Sequence, residues 1–201
     1  MVTAQSPSAE RLWFLRKFLR EPTHIAALSP SSRWLAAAMV RDLAIRPGGA
    51  ILEFGPGTGP FTAAIAEHLR AVPGSRYLGI ERDPEFAVFL RRRFPQLEFR
   101  NDDVVRLGAI LAGMPDLHPA AVVCGLPLVS MPVPVVDELL RRVAAVLPPG
   151  GVFRTFSYVH TMLNPSSWAL RRRMRRIFRS FCVRGPVFRN APPALIFEGA
   201  M

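Results

Sequence analysis

The chain has 201 residues, of which 50% are hydrophobic and 20% are charged. This length suits one domain with a full core, and this balance excludes a natively disordered chain, which has few apolar residues and a high net charge. The 26 basic residues outnumber the 15 acidic ones, for a net charge of +11, and every basic residue except Lys17 is an arginine. A folded domain with this surplus is expected to meet an anionic partner, either a nucleic acid or an acidic membrane surface.

The sequence predicts a cytoplasmic protein without a metal or a disulfide framework. Residues 1–10 are polar and mixed, whereas a secretory signal begins with a basic segment and an apolar run. The longest uncharged stretch, residues 119–136, contains four prolines and is shorter than a transmembrane helix. Cys124 and Cys182 stand far apart without a Cys/His cluster, so no metal is expected and both are interpreted as buried hydrophobic residues.

Residues 10–20 predict an amphipathic helix, which Pro22 ends. At about 100° per residue, leucine and phenylalanine side chains share one face and most of the cations share the other. Such a helix can lie in a lipid headgroup layer, or it can pack on a core like an ordinary surface helix. The pattern alone leaves both interpretations open.

A second helix is predicted over residues 31–43, and its start is suited to an anion. The serines that precede Arg33 can cap the first turn with their hydroxyls. Backbone N–H groups, hydroxyls and one guanidinium converge there, as in many phosphate sites at helix N-termini. The alternative is that the serines only cap the helix and that Arg33 is solvated.

From residue 50 onward, short apolar runs alternate with helical patterns, which predicts an α/β fold with a mostly parallel sheet covered by helices on both faces. The predicted strands are residues 50–54, 77–80, 97–100, 120–124 and 152–158, and the predicted helices are residues 61–70, 85–93, 104–111, 135–147 and 167–179. Residues 181–188 and 194–198 are expected to form an antiparallel hairpin that completes a seven-stranded sheet. Because no linker is apparent, residues 1–201 are interpreted as one domain, in which N-terminal helices over residues 1–47 precede the alternating core over residues 48–201.

The strongest local motif follows the first predicted strand, where a glycine-rich turn opens a helix: Glu53-Phe54-Gly55-Pro56-Gly57-Thr58-Gly59. Such glycines let a ligand approach the backbone and let the chain turn with positive φ. A dinucleotide fingerprint reads GxGxxG, whereas this motif reads GxGxG after an acidic residue, which would repel a pyrophosphate and can attract a sulfonium or an amine. The motif resembles motif I of the class I S-adenosylmethionine-dependent methyltransferases, which have a Rossmann-like fold.

The order of acidic residues after the next two strands also resembles that family. The resemblance implies that Glu81, beside Arg82, accepts hydrogen bonds from the ribose hydroxyls, and that Asp102, rather than its neighbour Asp103, accepts from the adenine amino group. The implied cofactor is S-adenosyl-L-methionine, with S-adenosyl-L-homocysteine as product. The implied cofactor-binding residues are Glu53, Gly55, Pro56, Gly57, Thr58, Gly59, Glu81, Arg82, Asp102, Asp103 and Gly125.

The loop after the fourth predicted strand bears on the substrate. Enzymes of this fold that methylate base amines carry an Asn/Asp-Pro-Pro-Tyr or Asn-Leu-Pro-Tyr motif, whose amide binds the amine and whose ring stacks on the flipped base. Here Gly125-Leu126-Pro127-Leu128 keeps the Leu-Pro but lacks both the amide and the aromatic ring. This apolar loop favours a substrate that carries an aliphatic amine on a hydrophobic molecule.

Nearly the whole chain resembles the soluble, rRNA-dimethylase-like type of bacterial phospholipid N-methyltransferase, which makes phosphatidylcholine from phosphatidylethanolamine. The resemblance rests on the Pro-Ser-Ser-Arg turn at residues 30–33, the loop at residues 125–128, Phe-Ser-Tyr at residues 156–158 and Asn-x-Pro-Pro-Ala at residues 190–194. The sequence departs from the pattern at Asn101, where glycine is usual, and in a short C-terminus without a basic tail. The implied activity is methylation of phosphatidylethanolamine and its mono- and dimethyl intermediates by a protein peripherally bound to the inner face of the cell membrane, with no nucleic acid partner.

The resemblance also assigns candidate roles around the substrate: helices over residues 1–47 would bind the membrane and cap the substrate, and residues 48–201 would form the cofactor-binding core. Gly125 and Leu126 would line the amine, and Tyr158 or, as second choice, His160 would accept its proton. The headgroup phosphate would be held by Ser29, Ser31 and Arg33, joined by Asn190 if the final hairpin folds back. Residues implied to contact an anionic membrane are Trp13, Phe14, Arg16, Lys17, Phe18 and Arg20, and the arginines of residues 171–179 form a second candidate surface.

Two other functions stay open. An RNA adenine N6-methyltransferase would also account for the positive charge, although the missing aromatic residue after Pro127 speaks against it. A non-catalytic basic membrane- or RNA-binding module with a degenerate nucleoside pocket is the other alternative. The intact acids Glu53, Glu81 and Asp102 favour a working cofactor site.

Overall fold

The computed structural model describes residues 31–201, which are built around a seven-stranded sheet in the order β3-β2-β1-β4-β5-β7-β6. The strands are β1 (Gly49–Phe54), β2 (Arg76–Glu81), β3 (Glu98–Asn101), β4 (His118–Cys124), β5 (Val152–Tyr158), β6 (Ser180–Val187) and β7 (Ala194–Ala200). Strands β1 to β5 are parallel, and β7 runs antiparallel between β5 and β6. The predicted mixed sheet with a C-terminal hairpin is therefore confirmed.

Six α-helices and three 3-10 helices connect the strands within residues 31–201. The α-helices are α1 (Arg33–Val40), α2 (Pro60–Leu69), α3 (Pro84–Arg93), α4 (Leu107–Ala112), α5 (Val133–Val146) and α6 (Pro165–Ile177), and the 3-10 helices are Val104–Arg106, Leu128–Ser130 and Val159–Thr161. Side chains of α1, α2 and α3 pack on one face of the sheet, and those of α4, α5 and α6 pack on the other. In the described part of the chain, no helix is both long enough and apolar enough to cross a bilayer.

This topology gathers the loops that follow the parallel strands at one edge of the sheet, which we call the carboxyl edge. The strand order reverses between β1 and β4, because the chain crosses from β3 back to the other side of β1. Ligands of open α/β sheets bind in the crevice at such a reversal. The motif after β1 and the apolar loop after β4 therefore lie where a ligand is expected.

Several predicted boundaries differ from the structure for local reasons. Helix α1 begins at Arg33 because Ser32 is its N-cap, with Oγ accepting from the Leu35 N–H at 3.2 Å. It ends at Val40, three residues earlier than predicted, and Asp42 that follows has a φ of 59°. The single helix predicted over residues 104–111 is a 3-10 helix followed by the short α4. The amphipathic helix predicted over residues 10–20 lies outside the described residues.

The two cysteines do not share one environment. Cys124 is buried at the end of β4, as predicted, whereas Cys182 is exposed, so the interpretation of Cys182 as a buried residue is wrong. The reason is that β6 is the outermost strand of the sheet. The Cys182 thiol lies near the surface, 3.5 Å from Glu198 Oε1.

A buried guanidinium ties α1 to the sheet. Arg154 of β5 is 1% exposed; its Nε donates to Glu198 Oε2 at 2.6 Å, and its Nη1 donates to the carbonyls of Met39 and Arg41 at the end of α1. Those carbonyls belong to the last turn of the helix, which has no intrahelical donors for them. Burial raises the pKa of Glu198, but hydrogen bonds from Arg184 and Arg154 outweigh it and bring that pKa below its usual value.

We expect Arg154→Ala to lower the free energy of unfolding by about 3 kcal/mol, because it removes the donor of two helix-end carbonyls and leaves Arg184 as the remaining cationic partner of the Glu198 carboxylate. Urea unfolding measures the loss. The matched control is Arg142→Ala, which breaks the 2.7 Å ion pair with Glu138 on the more exposed surface of α5 and should cost less than about 1 kcal/mol. Equal losses in the two variants would contradict the tethering role of Arg154.

Candidate functional site

The glycine-rich turn after β1 has the backbone that the motif predicts. Gly55, Gly57 and Gly59 all have positive φ, at 64°, 57° and 81°. A Cβ at Gly55 would lie 2.6 Å from a methyl carbon of Leu126, and one at Gly59 would lie 2.7 Å from the ring of Phe94. A Cβ at Gly57 would meet no atom of the described residues within 4 Å. Gly57 thus leaves its backbone open to a ligand, while its two neighbours pack against the protein.

Glu81 joins the end of β2 to this turn. Its Oε2 accepts from the Gly57 N–H and its Oε1 accepts from the Asp83 N–H, both at 3.0 Å. The side chain is mostly buried, and burial raises its pKa. Arg82, the next residue, is exposed, with its guanidinium 4.0 Å from Asp103. The carboxylate of Glu81 is therefore fixed by two backbone donors at the carboxyl edge.

The end of β3 explains the departure at Asn101. The Asn101 side-chain amide donates to the carbonyls of Glu81 and Arg82, both at 2.9 Å, so it fastens the end of β3 to the loop after β2. Asp103 caps the following 3-10 helix by accepting from the Val105 N–H at 3.0 Å. Asp102 Oδ1 in turn accepts from the Asp103 N–H at 2.8 Å and from Arg106 at 3.2 Å, so both carboxylates have partners in the protein and the choice of Asp102 stays a prediction.

The loop after β4 touches the loop after β1. The Gly125 N–H donates to the Phe54 carbonyl at 2.8 Å, and a Cβ at Gly125 would lie 2.8 Å from the Gly55 carbonyl. Leu126 in turn contacts Gly55. The structure thus brings Gly125 and Leu126, predicted to line the substrate amine, directly beside the predicted cofactor turn.

Glu53 is buried beneath the turn and has two partners that the sequence did not indicate. Its Oε2 accepts from the Tyr77 hydroxyl at 2.6 Å and from the Thr62 hydroxyl at 2.8 Å. Its Oε1 is also buried but has no hydrogen-bond partner among the described residues. The sequence did carry one signal for the position of the Tyr77 side chain, which is Gly79 in the same strand. A glycine inside a strand often marks a place where another group approaches the backbone closely, and a Cβ at Gly79 would lie 2.6 Å from the Tyr77 hydroxyl.

Glu53, Glu81 and Asp102 follow one another along the carboxyl edge, at the ends of β1, β2 and β3. The unpartnered Oε1 of Glu53 suits a cationic N–H donor, since a buried oxygen without a partner is costly. The open backbone at Gly57 suits a ligand that lies flat against the turn, and the acids beyond it suit hydroxyl and amino donors. These residues fit a nucleoside that carries a positively charged amino-acid group.

Tyr158 lies at the end of β5, on the other side of the strand reversal. Its ring stacks on that of His160, with centroids 5.7 Å apart and planes at 9°, and meets Phe156 edge-on at 5.7 Å. A tyrosine phenol is protonated at neutral pH because its usual pKa is about 10, and burial raises the pKa of Tyr158 further, so this phenol can donate a hydrogen bond. This disfavours Tyr158 as the proton acceptor and leaves the exposed His160 as the candidate base.

The final hairpin folds back onto the start of α1, as the sequence analysis anticipated. Asn190 is buried; its Oδ1 accepts from the Ser32 N–H at 2.9 Å and its Nδ2 donates to the Pro192 carbonyl at 2.7 Å. Its amide thus holds the turn at Ser31 and Ser32 in place. Ser29 lies outside the described residues.

Two residues that the sequence analysis did not select join this turn. The guanidinium carbon of Arg33 lies 4.6 Å from the centre of the Trp34 ring, and that of Arg189 lies 4.5 Å from it. Such stacking is a known interaction of arginine with indole. The candidate anion site is therefore flanked by an aromatic ring and a second cation.

We expect Glu53→Gln to weaken the pH dependence of stability. Burial raises the pKa of Glu53 from 4.5 to about 7, so between these values the folded state holds a proton that the unfolded state releases. The wild-type free energy of unfolding should then fall as pH rises through this window, by up to about 3 kcal/mol from this group, and level off above it. Glutamine keeps the shape of the side chain and does not titrate, so the variant should show a smaller decline.

Urea unfolding at pH 5, 6, 7 and 8 measures this difference. The control is Glu67→Gln, which removes an exposed carboxylate paired with Arg70 on the neighbouring helix α2 and should keep the wild-type slope. An unchanged slope in Glu53→Gln would show that the buried carboxyl does not titrate in this range.

Comparison with known proteins agrees with the geometry. A family model described as a methyltransferase domain matches residues 52–153. An ornithine lipid N-methyltransferase from Singulisphaera acidiphila is 37% identical over 186 residues, which cover 90% of this chain and 91% of that protein. A ribosomal RNA small subunit methyltransferase A from Chlorobaculum tepidum is 34% identical over 91 residues, which cover 42% of this chain and 31% of that protein.

Solved structures support the fold. The crystal structure of TrmN from Thermus thermophilus matches 90% of this chain and 52% of that chain with a TM-score of 0.61 and 20% identity. The family match spans the turn after β1, the acids after β2 and β3, and the loop after β4. The chain belongs to the class I S-adenosylmethionine-dependent methyltransferases, in the family that contains the Singulisphaera acidiphila protein, and S-adenosylmethionine is its cofactor.

Proposed function

We propose that this methyltransferase methylates the amine of a membrane lipid headgroup, with phosphatidylethanolamine as substrate and phosphatidylcholine as the final product. The observation that carries the proposal is the contact between Gly55 and Leu126. It means that the acceptor side of the cofactor turn is lined by backbone and leucine, without the amide and the ring that hold a base. The extended similarity to an ornithine lipid N-methyltransferase supports a lipid amine.

The chemistry requires positioning more than it requires a strong base. S-adenosylmethionine supplies an electrophilic methyl group on a sulfonium, and the neutral amine must be aimed at that carbon in line with the breaking bond. Gly125 and Leu126 would confine the amine to this direction. The substrate arrives as an ammonium ion, and His160 is the candidate that takes its proton, while the protonated phenol of Tyr158 would orient the headgroup. After the first transfer, Phe156 and Tyr158 could contact the methylated ammonium through their rings.

The headgroup anion would be held at the start of α1. Ser31 and Arg33 lie at the N-terminus of the helix, where backbone N–H groups favour negative charge. Asn190 supports this site by holding the Ser32 N–H. A phosphate on this turn would leave the ethanolamine arm free to reach toward Tyr158 and Leu126.

The Arg33→Ala variant should raise the KM for lipid about tenfold or more, since hydrogen bonds to charged groups contribute about 1.5 to 3 kcal/mol. The Kd for S-adenosylhomocysteine, measured by calorimetry, should stay at the wild-type value. The matched control is Arg41→Ala, just beyond the opposite end of the same helix, which should leave both values unchanged. Equal losses of lipid turnover and of S-adenosylhomocysteine binding in Arg33→Ala would refute the phosphate role.

Ornithine lipid is a second candidate substrate, favoured by the 37% identical relative. An ornithine headgroup offers an aliphatic amine with a carboxylate in place of the phosphate, and arginine binds both anions. The two lipids therefore make similar demands on Arg33 and on the loop at residues 125–128. Only a measurement of methyl transfer to each lipid distinguishes the two candidate substrates.

The deciding experiment offers methyl-labelled S-adenosylmethionine with phosphatidylethanolamine vesicles, ornithine lipid vesicles and unmodified ribosomal RNA in parallel. We expect label in the phosphatidylethanolamine phase, and none in RNA. Glu81→Gln serves as the control, because loss of the ribose contact should abolish incorporation from every acceptor. Label in ornithine lipid alone would make ornithine lipid the substrate in place of phosphatidylethanolamine. Label in RNA would favour an adenine methyltransferase. No label in any acceptor would favour a non-catalytic module.

The proposed location is the inner face of the cell membrane, with the protein attached peripherally from the cytoplasm. The arginine surplus would attract it to anionic lipids, at about 1 kcal/mol for each cation near the surface. The proposed membrane helix, with Trp13, Phe14, Arg16, Lys17, Phe18 and Arg20, lies outside the described residues. Of the second candidate surface, Arg173 pairs with Asp137 at 2.6 Å, while Arg172, Arg176 and Arg179 are exposed.

A further inference from the structure

Five large apolar side chains are exposed near the carboxyl ends of β5 and the final hairpin. The exposed fraction is 86% for Leu163, 76% for Phe188, 62% for Trp168, 40% for Trp34 and 39% for Val159. We call these five residues the apolar arc. A single exposed apolar residue is ordinary, but a contiguous group of them marks an interaction site.

Hydrogen bonds join the segments that carry the first half of the arc. The Val159 N–H donates to the Pro193 carbonyl at 2.8 Å, which joins the end of β5 to the turn between β6 and β7. That turn holds Phe188, and its Asn190 holds the Ser32 N–H beside Trp34. The segments that carry Val159, Phe188 and Trp34 are therefore tied together beside the candidate anion site.

The second half continues along the chain from Val159. The 3-10 helix Val159–Thr161 leads to Leu163, and α6 starts directly afterwards with Trp168 in its first turns. The Arg171 guanidinium donates to the Met162 carbonyl at 3.3 Å and lies 5.1 Å from the Trp168 ring. This contact holds Leu163 and Trp168 close to the end of β5, so the arc passes Tyr158 and His160.

The sequence segment that carries four of the five arc residues is strongly basic. The sequence has no Asp or Glu between Glu138 and Glu198, whereas it has eleven arginines there. Outside that segment, the 15 remaining basic residues balance the 15 acidic ones, so the segment accounts for the whole net charge of +11. The acids of the carboxyl edge, Glu81 and Asp102, follow β2 and β3, on the opposite side of the strand reversal.

We propose that the apolar arc is the surface on which the protein sits on an anionic bilayer, and that this contact turns the carboxyl edge toward the lipid headgroups. The proposal rests on the proposed function, since it concerns the route by which lipid reaches the same site. Leucine and phenylalanine side chains that protrude so far can enter the headgroup layer, while tryptophan prefers the interface itself. The arginines Arg33, Arg171 and Arg189, stacked on the two indoles, would then lie level with the lipid phosphates.

A bilayer fits this surface better than a single-stranded nucleic acid does. A nucleic acid would use the indole faces for base stacking, but the Trp34 ring has two guanidinium groups within 4.6 Å and the Trp168 ring has one at 5.1 Å. The residue with the largest exposed fraction, Leu163, is aliphatic and offers no ring for a base. Apolar tips beside cations are the pattern of an interfacial membrane contact.

The test uses the full chain and vesicles of phosphatidylcholine with 30% phosphatidylglycerol (about a third anionic lipid, chosen to give a marked surface potential), without S-adenosylmethionine. We expect Leu163→Ser, Trp168→Ser and Phe188→Ser each to weaken co-sedimentation about tenfold, because burial of one large apolar side chain is worth roughly that factor or more. The matched control is Val88→Ser, which changes a 44% exposed side chain on α3, outside the arc, and should change binding less than about twofold. Calorimetry with S-adenosylhomocysteine confirms that each variant is folded.

The outcomes separate this proposal from the proposed function. Wild-type vesicle binding by the arc variants would overturn the arc as the docking surface, even if label enters lipid, and would assign binding to residues outside it. Loss of vesicle binding in the arc variants but not in Val88→Ser supports the arc, even if no label ever enters lipid. A larger loss of ribosomal RNA binding than of vesicle binding in the arc variants would identify the surface as an RNA site and overturn the proposal.

Discussion

The close approach of two loops at the strand reversal is the constraint on which the rest of the site depends. Gly55 and Gly125 follow neighbouring strands, and a Cβ on Gly125 would lie 2.8 Å from the Gly55 carbonyl. Only glycine allows backbone to pass backbone at this distance. Because the two loops touch, the residues proposed to bind the methyl donor and those proposed to direct the acceptor lie side by side. Positioning, which supplies much of the acceleration in methyl transfer, is thus a property of the backbone before any side chain contributes.

The carboxyl edge is divided into two chemically different halves by this contact. On the side of β2 and β3, Glu81 and Asp102 present oxygen acceptors held by backbone N–H groups. On the side of β5 and β7, Tyr158 is flanked by aromatic rings, and the turn at Ser32 is held by Asn190. Carboxylates beside a lipid phosphate would repel it. The separation lets one edge hold a nucleoside and an anionic headgroup at once.

The sequence predicted the parts of this arrangement that depend on local pattern and missed those that depend on tertiary contact. The buried strands and the glycine turn after β1 each consist of consecutive residues with a recognisable pattern, so the sheet and the cofactor turn could be predicted. The Tyr77 hydroxyl reaches Glu53 from another strand, and Arg154 reaches the end of α1 across 113 residues; neither has a local signature. Cys182 shows the same limit, because an apolar pattern does not reveal that β6 is the outer strand. Asn190 was named from the family resemblance, on the condition that the final hairpin folds back, and its contact with the Ser32 N–H is a tertiary contact as well.

The arginine surplus is a property of one segment and not of the surface as a whole. Since the residues outside 139–197 are electrically balanced, this segment carries the whole net charge of +11. A charge distribution of this kind orients a protein in the field of an anionic surface before contact, at distances comparable to the Debye length of about 8 Å in physiological salt. One of the eleven arginines, Arg154, is withdrawn into the core by Glu198 and the end of α1. Of the others, Arg171 and Arg189 lie over the indoles of the apolar arc, so charge and apolar contacts would act together there. Arg179 instead precedes the end of β6 that pairs with Ala200, at the edge of the sheet opposite Tyr158.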